Sequence, residues 1–434
     1  MLRMVIKIGF EMTTPVTKHL DVRKMINEKY HFCILILLTL SQLIMSMGAY
    51  AWGPLAPFIR TDFGITRAQV GSITSALYAV SALVALPSGL VIDKFGEKLM
   101  LVVALTTMGF AFSALSFFNS FNMFVFFAGF SGIGYGMITQ ISSKGIICWF
   151  QKKNMATAMG IKQTGVTLGG ALGAMILPAI AVLSNKRWAT VALAITMVLT
   201  AFLVAFFYRE HPASAAIKYC ASPFLAEKRA TNSCKKFRLL LKKPELIILC
   251  FVSMLLAASQ TCIASFIVLY MHEELLATPA AAGMCLLIFM IAGTAGRVLW
   301  GMISDGIYKG DRQYPMMLLC LIAFGSALGM VFITRASMAW LPYFICAVLG
   351  FTFMGWNALS IIFSAEIAGP ALVGRVTGMT LVASFLGVII GPPIFGLIAD
   401  KVGYSWGWAM LAIFGLLCAI SLLYSTRITK KNYK

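Results

Sequence analysis

Charged residues are scarce in this sequence. Only 12% of its 434 residues are Asp, Glu, Lys or Arg, and 60% are hydrophobic, whereas soluble globular domains carry roughly 25% charged residues. Acidic residues are the scarcest charged type, because 15 Asp and Glu stand against 35 Lys and Arg. This composition excludes a single water-soluble domain. It leaves two classes for such a basic chain, a nucleic-acid-binding protein or a membrane protein.

The sequence is also poor in the residues of metal and catalytic sites. It has only four His, and its ten Cys include no C-x-x-C pair. The histidines lie at or beyond the ends of the long apolar runs, at His19, His31, His211 and His272. We therefore expect no metal site, no disulfide framework, no cofactor and no enzyme activity.

Long apolar runs dominate the chain. A membrane-spanning helix requires about 20 predominantly apolar residues, and the sequence contains twelve such runs. They lie at 32–57, 69–92, 99–117, 122–148, 160–183, 188–208, 246–270, 281–304, 314–334, 339–364, 375–398 and 405–426. We predict an all-α integral membrane protein with twelve transmembrane helices.

A polar and basic stretch divides these runs six and six. We predict one six-helix bundle at 32–208 and a second at 246–426, joined by a basic cytoplasmic loop at 209–245. Cytoplasmic tails at 1–31 and 427–434 complete the chain. With this topology most of the Lys and Arg fall on the cytoplasmic side, as the positive-inside rule requires. The charge is thereby explained without nucleic acid, and we expect a monomer that crosses a bacterial inner membrane many times.

A short motif occurs in both halves. After the second run the chain reads G-x-x-x-D-K-x-G-x-K, and a weaker copy follows the eighth run. The motif residues are Gly89, Asp93, Lys94 and Gly96 in the first half, and Gly301 and Asp305 in the second. Such internal repeats are typical of secondary transporters.

The first copy resembles the signature loop of the major facilitator superfamily. This resemblance implies two six-helix bundles around a central cavity that opens alternately to each side of the membrane. It also implies that Asp93 caps a helix N-terminus and holds the cytoplasmic ends of the bundles together, since a carboxylate is stabilised there by the helix dipole. Gly89 would allow close helix approach, and Gly96 would form a tight turn. The alternative is that the charged residues of this motif are ordinary solvated residues of a loop.

Three cationic residues, Lys144, Lys162 and Arg297, lie inside apolar runs. Ionisable residues at membrane depth are functional candidates by default. Arg297 precedes Gly301 by four residues, which resembles the eighth helix of monocarboxylate transporters, where an arginine binds the substrate carboxylate. Gly293 stands where that family has a companion aspartate. The structural alternatives are an arginine that caps helix carbonyls and lysines that reach the membrane surface.

Neutral polar residues at mid-depth complete the predicted site. Gln140 and Lys144 share a helix face because they are four residues apart. The candidate substrate-binding residues are Arg297, Lys144, Gln140, Gln42, Tyr50, Gln260 and Asn357. Glu366 is the candidate for a coupling proton, or it pairs with Arg375 or Lys162.

These observations predict a secondary transporter of a small organic anion, with a carboxylate as the expected class. Alternating access is the expected mechanism. Proton symport is expected only because members of the family commonly use it. Two alternatives stay open: an exporter of an amphipathic metabolite, drug or siderophore, and a membrane sensor that transports nothing. The expected partners are a small-molecule anion, protons and the lipid bilayer.

Overall fold

The structure consists of membrane-length helices joined by short turns. The computed structural model describes residues 16–118, 120–150, 152–210, 244–309, 311–368 and 373–432. All regular secondary structure in these ranges is helical. The first half contains α1 (Val16–Ala49), α2 (Trp52–Phe63), α3 (Arg67–Phe95), α4 (Glu97–Leu115), α5 (Phe121–Trp149), α6 (Lys152–Leu183) and α7 (Lys186–Phe207). The second half contains α8 (Pro244–Glu273), α9 (Pro279–Gly306), α10 (Gln313–Val331), α11 (Leu341–Phe353), α12 (Trp356–Ala368), α13 (Val373–Val402) and α14 (Tyr404–Asn432).

The predicted spans correspond closely to these helices. Within the described residues, eleven helical stretches are long and apolar enough to cross a membrane. The run 339–364 differs, because it forms two short helices, α11 and α12, that are separated at Met354 and Gly355. A side chain at Gly355 would overlap Trp300, so only glycine fits at this break. The predicted all-α fold is confirmed, with its tenth span made of two helices.

The first span is also bent. Helix α1 ends at Ala49, and α2 begins at Trp52 and continues to Phe63, beyond the predicted end of the run. Pro54 has no N–H to donate to the Tyr50 carbonyl, so a continuous helix loses a hydrogen bond at this point. The bend places Tyr50 between two helical segments.

The predicted tails and central loop are only partly within the described residues. Helix α1 starts at Val16, inside the predicted tail 1–31. Residues 211–243, most of the predicted loop, lie outside the described residues. The domain boundaries therefore stay predictions.

The helices pack as two groups that meet mainly along three helix pairs. In the first half α3 packs on α5, α1 on α6, and α4 on both α5 and α7. In the second half α8 packs on α13 and α14, α10 on α14, and α9 on α11. The pairs α3–α13, α6–α9 and α2–α8 join the halves. Two bundles facing each other across this interface are what the sequence predicts.

Glu273 joins the bundles at the end that the sequence analysis predicts to lie outside. Its carboxylate, at the end of α8, forms ion pairs with Arg60 and Arg67 of the first bundle, the second with an Nη2–Oε2 distance of 2.9 Å. Tyr404 donates a hydrogen bond of 2.9 Å to the same carboxylate, and its ring lies 4.4 Å from the Arg67 guanidinium carbon. The side chains of Glu273 and Arg67 are less than one-fifth exposed. Solvent therefore screens this cluster less than it would a surface ion pair.

Asp400 makes a second connection, to the N-terminus of α3. Its Oδ1 accepts the Arg67 N–H at 3.0 Å, and its Oδ2 accepts the Ala68 N–H at 2.9 Å. The first turn of a helix has unpaired N–H groups, and the capping box of Thr66 and Gln69 leaves these two for another acceptor. The carboxylate supplies that acceptor and also interacts favourably with the helix dipole.

The sequence analysis missed this connection, although a signal for it exists. The chain reads Gly396-x-x-x-Asp400-Lys401-x-Gly403, which has the same spacing as Gly89-x-x-x-Asp93-Lys94-x-Gly96. A side chain at Gly396 would overlap the Arg67 carbonyl, so this glycine lets α13 approach α3 closely. The motif thus recurs on the opposite side of the membrane. We call Arg60, Arg67, Glu273 and Asp400 the outer seal.

We predict that Asp400→Asn loosens the outer seal, because it removes the negative charge from the α3 N-terminus. Such a charge–dipole contact contributes about 0.5–2 kcal/mol, or roughly a two- to thirtyfold shift in the population of an outward-open state. The measurement is the rate at which a membrane-impermeant thiol reagent labels Ser75→Cys, a buried position on α3. Labelling should accelerate by that factor.

The control for this experiment is Asp62→Asn. Asp62 lies at the same end of the protein but pairs with Lys186 inside the first bundle, with an Nζ–Oδ2 distance of 2.9 Å. Equal acceleration in both variants, or none in Asp400→Asn, would contradict the role of Asp400.

Candidate functional site

A cavity of about 470 Å³ lies between the two bundles. Helices α1, α3, α5 and α6 line it from the first bundle, and α8, α9, α12 and α13 from the second. Its polar lining consists of Gln42, Tyr50, Tyr78, Tyr135, Thr139, Gln163, Thr164, Thr167, Gln260, Thr261, Thr294, Arg297, Trp356, Asn357 and Ser384. The cavity reaches exposed residues near the predicted cytoplasmic ends of the helices, such as Gly160 of α6. With the outer seal closed, the cavity is accessible from the predicted cytoplasmic side.

Arg297 is the one cationic residue among the described residues that line this cavity. Its Nε donates to the Met354 carbonyl at 3.3 Å, at the break between α11 and α12. Gly293, one turn earlier on α9, packs against Met354, so an aspartate would not fit where the resemblance expects one. The described lining contains no carboxylate. The charge of Arg297 therefore has no protein counterion there.

Three tyrosines of the first bundle face this cation across the cavity. The rings of Tyr78 and Tyr135 are 5.8 Å apart at 87°, an edge-to-face arrangement. Tyr78 interacts electrostatically with both Tyr50 and Tyr135. Tyr50 and Tyr135 in turn lie near the guanidinium of Arg297. Neutral hydroxyls, which donate and accept hydrogen bonds, thus surround the space in front of Arg297.

Two polar links cross from one bundle to the other beside the cavity. Trp356 donates through Nε1 to Gln260 Oε1 at 3.3 Å, and Gln260 Nε2 lies 3.5 Å from the Tyr50 hydroxyl, the outer limit of a hydrogen bond. Thr294 donates to Thr167 at 2.6 Å, joining α9 to α6. Polar groups of the cavity lining therefore also contact the opposite bundle.

Five of the seven predicted binding residues line the cavity: Gln42, Tyr50, Gln260, Arg297 and Asn357. Gln42 is almost fully buried, and its amide also contacts Ser46 and Ser142, each at 3.4 Å.

The other two predicted residues, Gln140 and Lys144 of α5, are not in the lining. The Gln140 Oε1 is buried and has no hydrogen-bond partner among the described residues. Lys144 interacts with Glu97 of α4 inside the first bundle. Their four-residue spacing places them on one face of α5, but neither side chain belongs to the lining in this conformation. Their role in binding stays a prediction.

The predicted motif residues lie at the opposite end from the outer seal. Gly96 has φ of +91° and joins α3 directly to α4. The positions of Gly89 and Gly301 have open space where a side chain would begin, so no helix of the described residues packs against them while the cavity opens here. Lys94 lies exposed at the end of α3, but the side chain of Asp93 lies outside the described residues.

Asp305 and Glu366 share one partner, Arg312, at the same end of the second bundle. Arg312 Nη1 lies 2.5 Å from Asp305, and its Nε donates to Glu366 at 3.0 Å. Glu366 lies outside the cavity lining and its side chain is about half exposed, at 48%. Its partner among the described side chains is Arg312. Of the two predicted partners, Lys162 is buried and donates to Ser143 at 3.3 Å, and the side chain of Arg375 lies outside the described residues.

Sequence reasoning missed Tyr78 and Tyr135 as site residues. A signal exists, because each is a tyrosine within a long apolar run, and tyrosine hydroxyls usually find polar partners when buried. Among the described residues no cluster of three His, Cys, Asp or Glu is placed to hold a metal ion.

Comparisons with known proteins agree with this architecture. The family model described as Major Facilitator Superfamily matches residues 38–386 and 249–434. A hexuronate transporter of Bacillus subtilis is 24% identical over 392 residues, covering 87% of this chain and 90% of the relative. A probable hexose phosphate transport protein of Chlamydia muridarum is 24% identical over 389 residues, covering 85% and 84%.

A solved structure shows the same fold. It is a bacterial homolog of the human lysosomal transporter Spinster in an inward-facing and occupied conformation, with a TM-score of 0.77 at 17% sequence identity. The alignment covers 92% of this chain and 97% of that one. The resemblance carried by the G-x-x-x-D-K-x-G-x-K motif is confirmed, and the chain belongs to the major facilitator superfamily of membrane transporters.

Proposed function

We propose that this protein transports a small organic anion, with a carboxylate as the bound group, by alternating access around Arg297. The observation that carries the proposal is a guanidinium in a central cavity whose described lining contains no carboxylate. An arginine at the centre of a membrane helix costs about 2.5–3.5 kcal/mol on insertion. An anionic substrate that pairs with Arg297 would offset this cost each time the cavity closes.

The geometry of arginine suits this role. Its planar fork of N–H donors holds a carboxylate through two parallel hydrogen bonds, which a lysine ammonium cannot do. Because Nε already donates to the Met354 carbonyl, the side chain is oriented before the substrate arrives. Its terminal nitrogens remain to bind the carboxylate.

Two relatives support the anionic class by their names. One is a hexuronate transporter and another a probable hexose phosphate transport protein, and both named substrates are anions. The same cavity also has an apolar wall formed by Val298, Ile361, Leu381, Phe385 and Val388. That wall favours the second candidate, export of an amphipathic compound.

The proposal assigns no coupling proton to a described side chain of the cavity, because its lining has neither a carboxylate nor a histidine among those residues. Glu366 remains the proposed alternative, although Arg312 pairs with it. We further propose a monomer in a bacterial inner membrane, with both termini in the cytoplasm, from the asymmetry of its basic residues.

The transport prediction is tested with purified protein in liposomes. We expect uptake of carboxylates, and none of neutral sugars, amines or zwitterionic amino acids of similar size, from a panel measured with and without a pH gradient. Transport of neutral or cationic compounds alone would reject the anion proposal. Movement of amphipathic drugs in the outward direction would favour the exporter, and no movement of any compound would favour a sensor.

Replacing Arg297 tests the proposed anchor. Hydrogen bonds to charged groups contribute about 1.5–3 kcal/mol, so Arg297→Gln should weaken apparent affinity for the transported anion roughly ten- to hundredfold. The apparent affinity of Arg297→Lys should fall between those of the original protein and Arg297→Gln, because lysine keeps the charge and loses the planar fork. The measurement is the substrate concentration that gives half-maximal initial uptake.

The matched control is Lys309→Gln, which removes one positive charge from an exposed position just after α9. It should leave the apparent affinity within about twofold of the original protein, since exposed charges interact weakly. Unchanged transport by a folded Arg297→Gln protein would remove Arg297 from the site.

A further inference from the structure

The charge inventory of the cavity limits the charge of its substrate. The described lining contains one cation, Arg297, and no anion. The two other cationic residues of the apolar runs are engaged elsewhere in the first bundle. Lys162 is 1% exposed and donates to Ser143, and Lys144 interacts with Glu97.

The rest of the polar lining is neutral and comes from both bundles. The first bundle contributes the hydroxyls of Tyr50, Tyr78 and Tyr135 and the amide of Gln163. The second contributes the amides of Gln260 and Asn357 and the hydroxyl of Ser384. Hydroxyls and amides both donate and accept hydrogen bonds, so they match hydroxyl groups of a ligand without adding charge.

From this inventory we propose that the cavity selects a singly charged anion with a hydroxylated body, such as a sugar acid. The inference rests on the proposed function and narrows its substrate class. One carboxylate on Arg297 makes the closed cavity electrically neutral. A second negative charge would be enclosed without a partner, and an unpaired charge away from water is strongly disfavoured. A neutral sugar would leave Arg297 itself unpaired.

The inference separates the substrates named for the two relatives. A hexuronate carries one carboxylate on a hydroxylated skeleton, whereas a phosphate monoester carries close to two negative charges near pH 7. The cavity described here suits the first kind and not the second.

The test uses the full-length protein in liposomes, with the membrane potential clamped so that substrate charge does not alter the driving force. Four compounds share a six-carbon frame: glucose has no acidic group, glucuronate has one, and glucarate and glucose 6-phosphate each carry about two charges. Hexanoate is the singly charged compound without hydroxyls. We expect glucuronate to enter at least about tenfold faster, at equal low concentration, than any of the other four.

A gain-of-function variant tests the same idea from the other direction. Gln163 is exposed and lines the cavity from α6, so Gln163→Lys adds a second cation to the lining that contains Arg297. The ratio of glucarate to glucuronate uptake should rise about two- to fivefold, the effect of one charge pair at a solvent-exposed position. Gln163→Asn changes the same lining position without adding charge, so it can alter both uptake rates but should leave their ratio within about twofold of the original value.

The possible outcomes distinguish a failure of this inference from a failure of the proposed function on which it rests. Equal or faster uptake of glucarate or glucose 6-phosphate by the original protein would overturn the single-charge inference and leave anion transport standing. Faster uptake of hexanoate than of glucuronate would overturn only the requirement for a hydroxylated substrate. Uptake of glucose in preference to every anion would overturn both the inference and the proposed function.

Discussion

A guanidinium in the central cavity, with no carboxylate partner among the described residues of the lining, is the constraint on which the proposed mechanism depends. Arginine cannot lose its charge at ordinary pH, so the protein must surround Arg297 with dipoles or supply an opposite charge. The structure supplies dipoles from the Met354 carbonyl and the tyrosine hydroxyls, and no carboxylate among the described residues of the lining. An anionic substrate can supply the negative charge that pairs with Arg297.

The break in the tenth span belongs to this arrangement. Non-helical backbone is tolerated at membrane depth only where protein or a water-filled cavity satisfies its polar groups. The break between α11 and α12 meets that condition, because its Met354 carbonyl accepts from Arg297. The bend at Tyr50 in the first span faces the same cavity from the other bundle. Two interruptions of helical structure therefore converge on one site.

The outer seal closes the end of the protein opposite to the end where the cavity opens. Glu273 and Asp400 connect the bundles on one side, while a sequence motif of the same spacing as that around Asp400 lies on the other side. A carrier that alternates needs both ends to close with similar free energies, since a large difference would populate only one state. The same glycine and aspartate spacing at both ends would help to match these two free energies of closure. The same chemistry, a carboxylate on a helix N-terminus, serves at the end that is closed here.

Much of the fold could be predicted from the sequence, because membrane insertion selects long apolar runs and asymmetric basic loops that are visible in one dimension. Arg297 was predictable for the same reason, since a cation inside an apolar run is conspicuous. The break at Gly355 was not, because hydropathy does not distinguish a packed glycine from a helix break.

Contacts between helices were harder to predict. The spacing of Gln140 and Lys144 fixes their shared face but not which neighbour that face meets. The roles of Glu273 and Asp400 were missed because carboxylates at span ends resemble ordinary solvated residues. The repeated glycine and aspartate spacing marks Asp400 in the sequence, whereas only three-dimensional contact with Arg67 distinguishes Glu273.

The most direct test of the central claim is the thermal unfolding midpoint of the purified protein with and without a bound anion. A ligand that binds only the folded state raises this midpoint, so glucuronate should raise it for the original protein and glucose should not. Arg297→Gln should be at least as stable without ligand, because an unpaired buried charge has been removed, and it should not respond to glucuronate. An equal glucuronate-induced rise in both proteins would show that the anion binds elsewhere and would contradict the account.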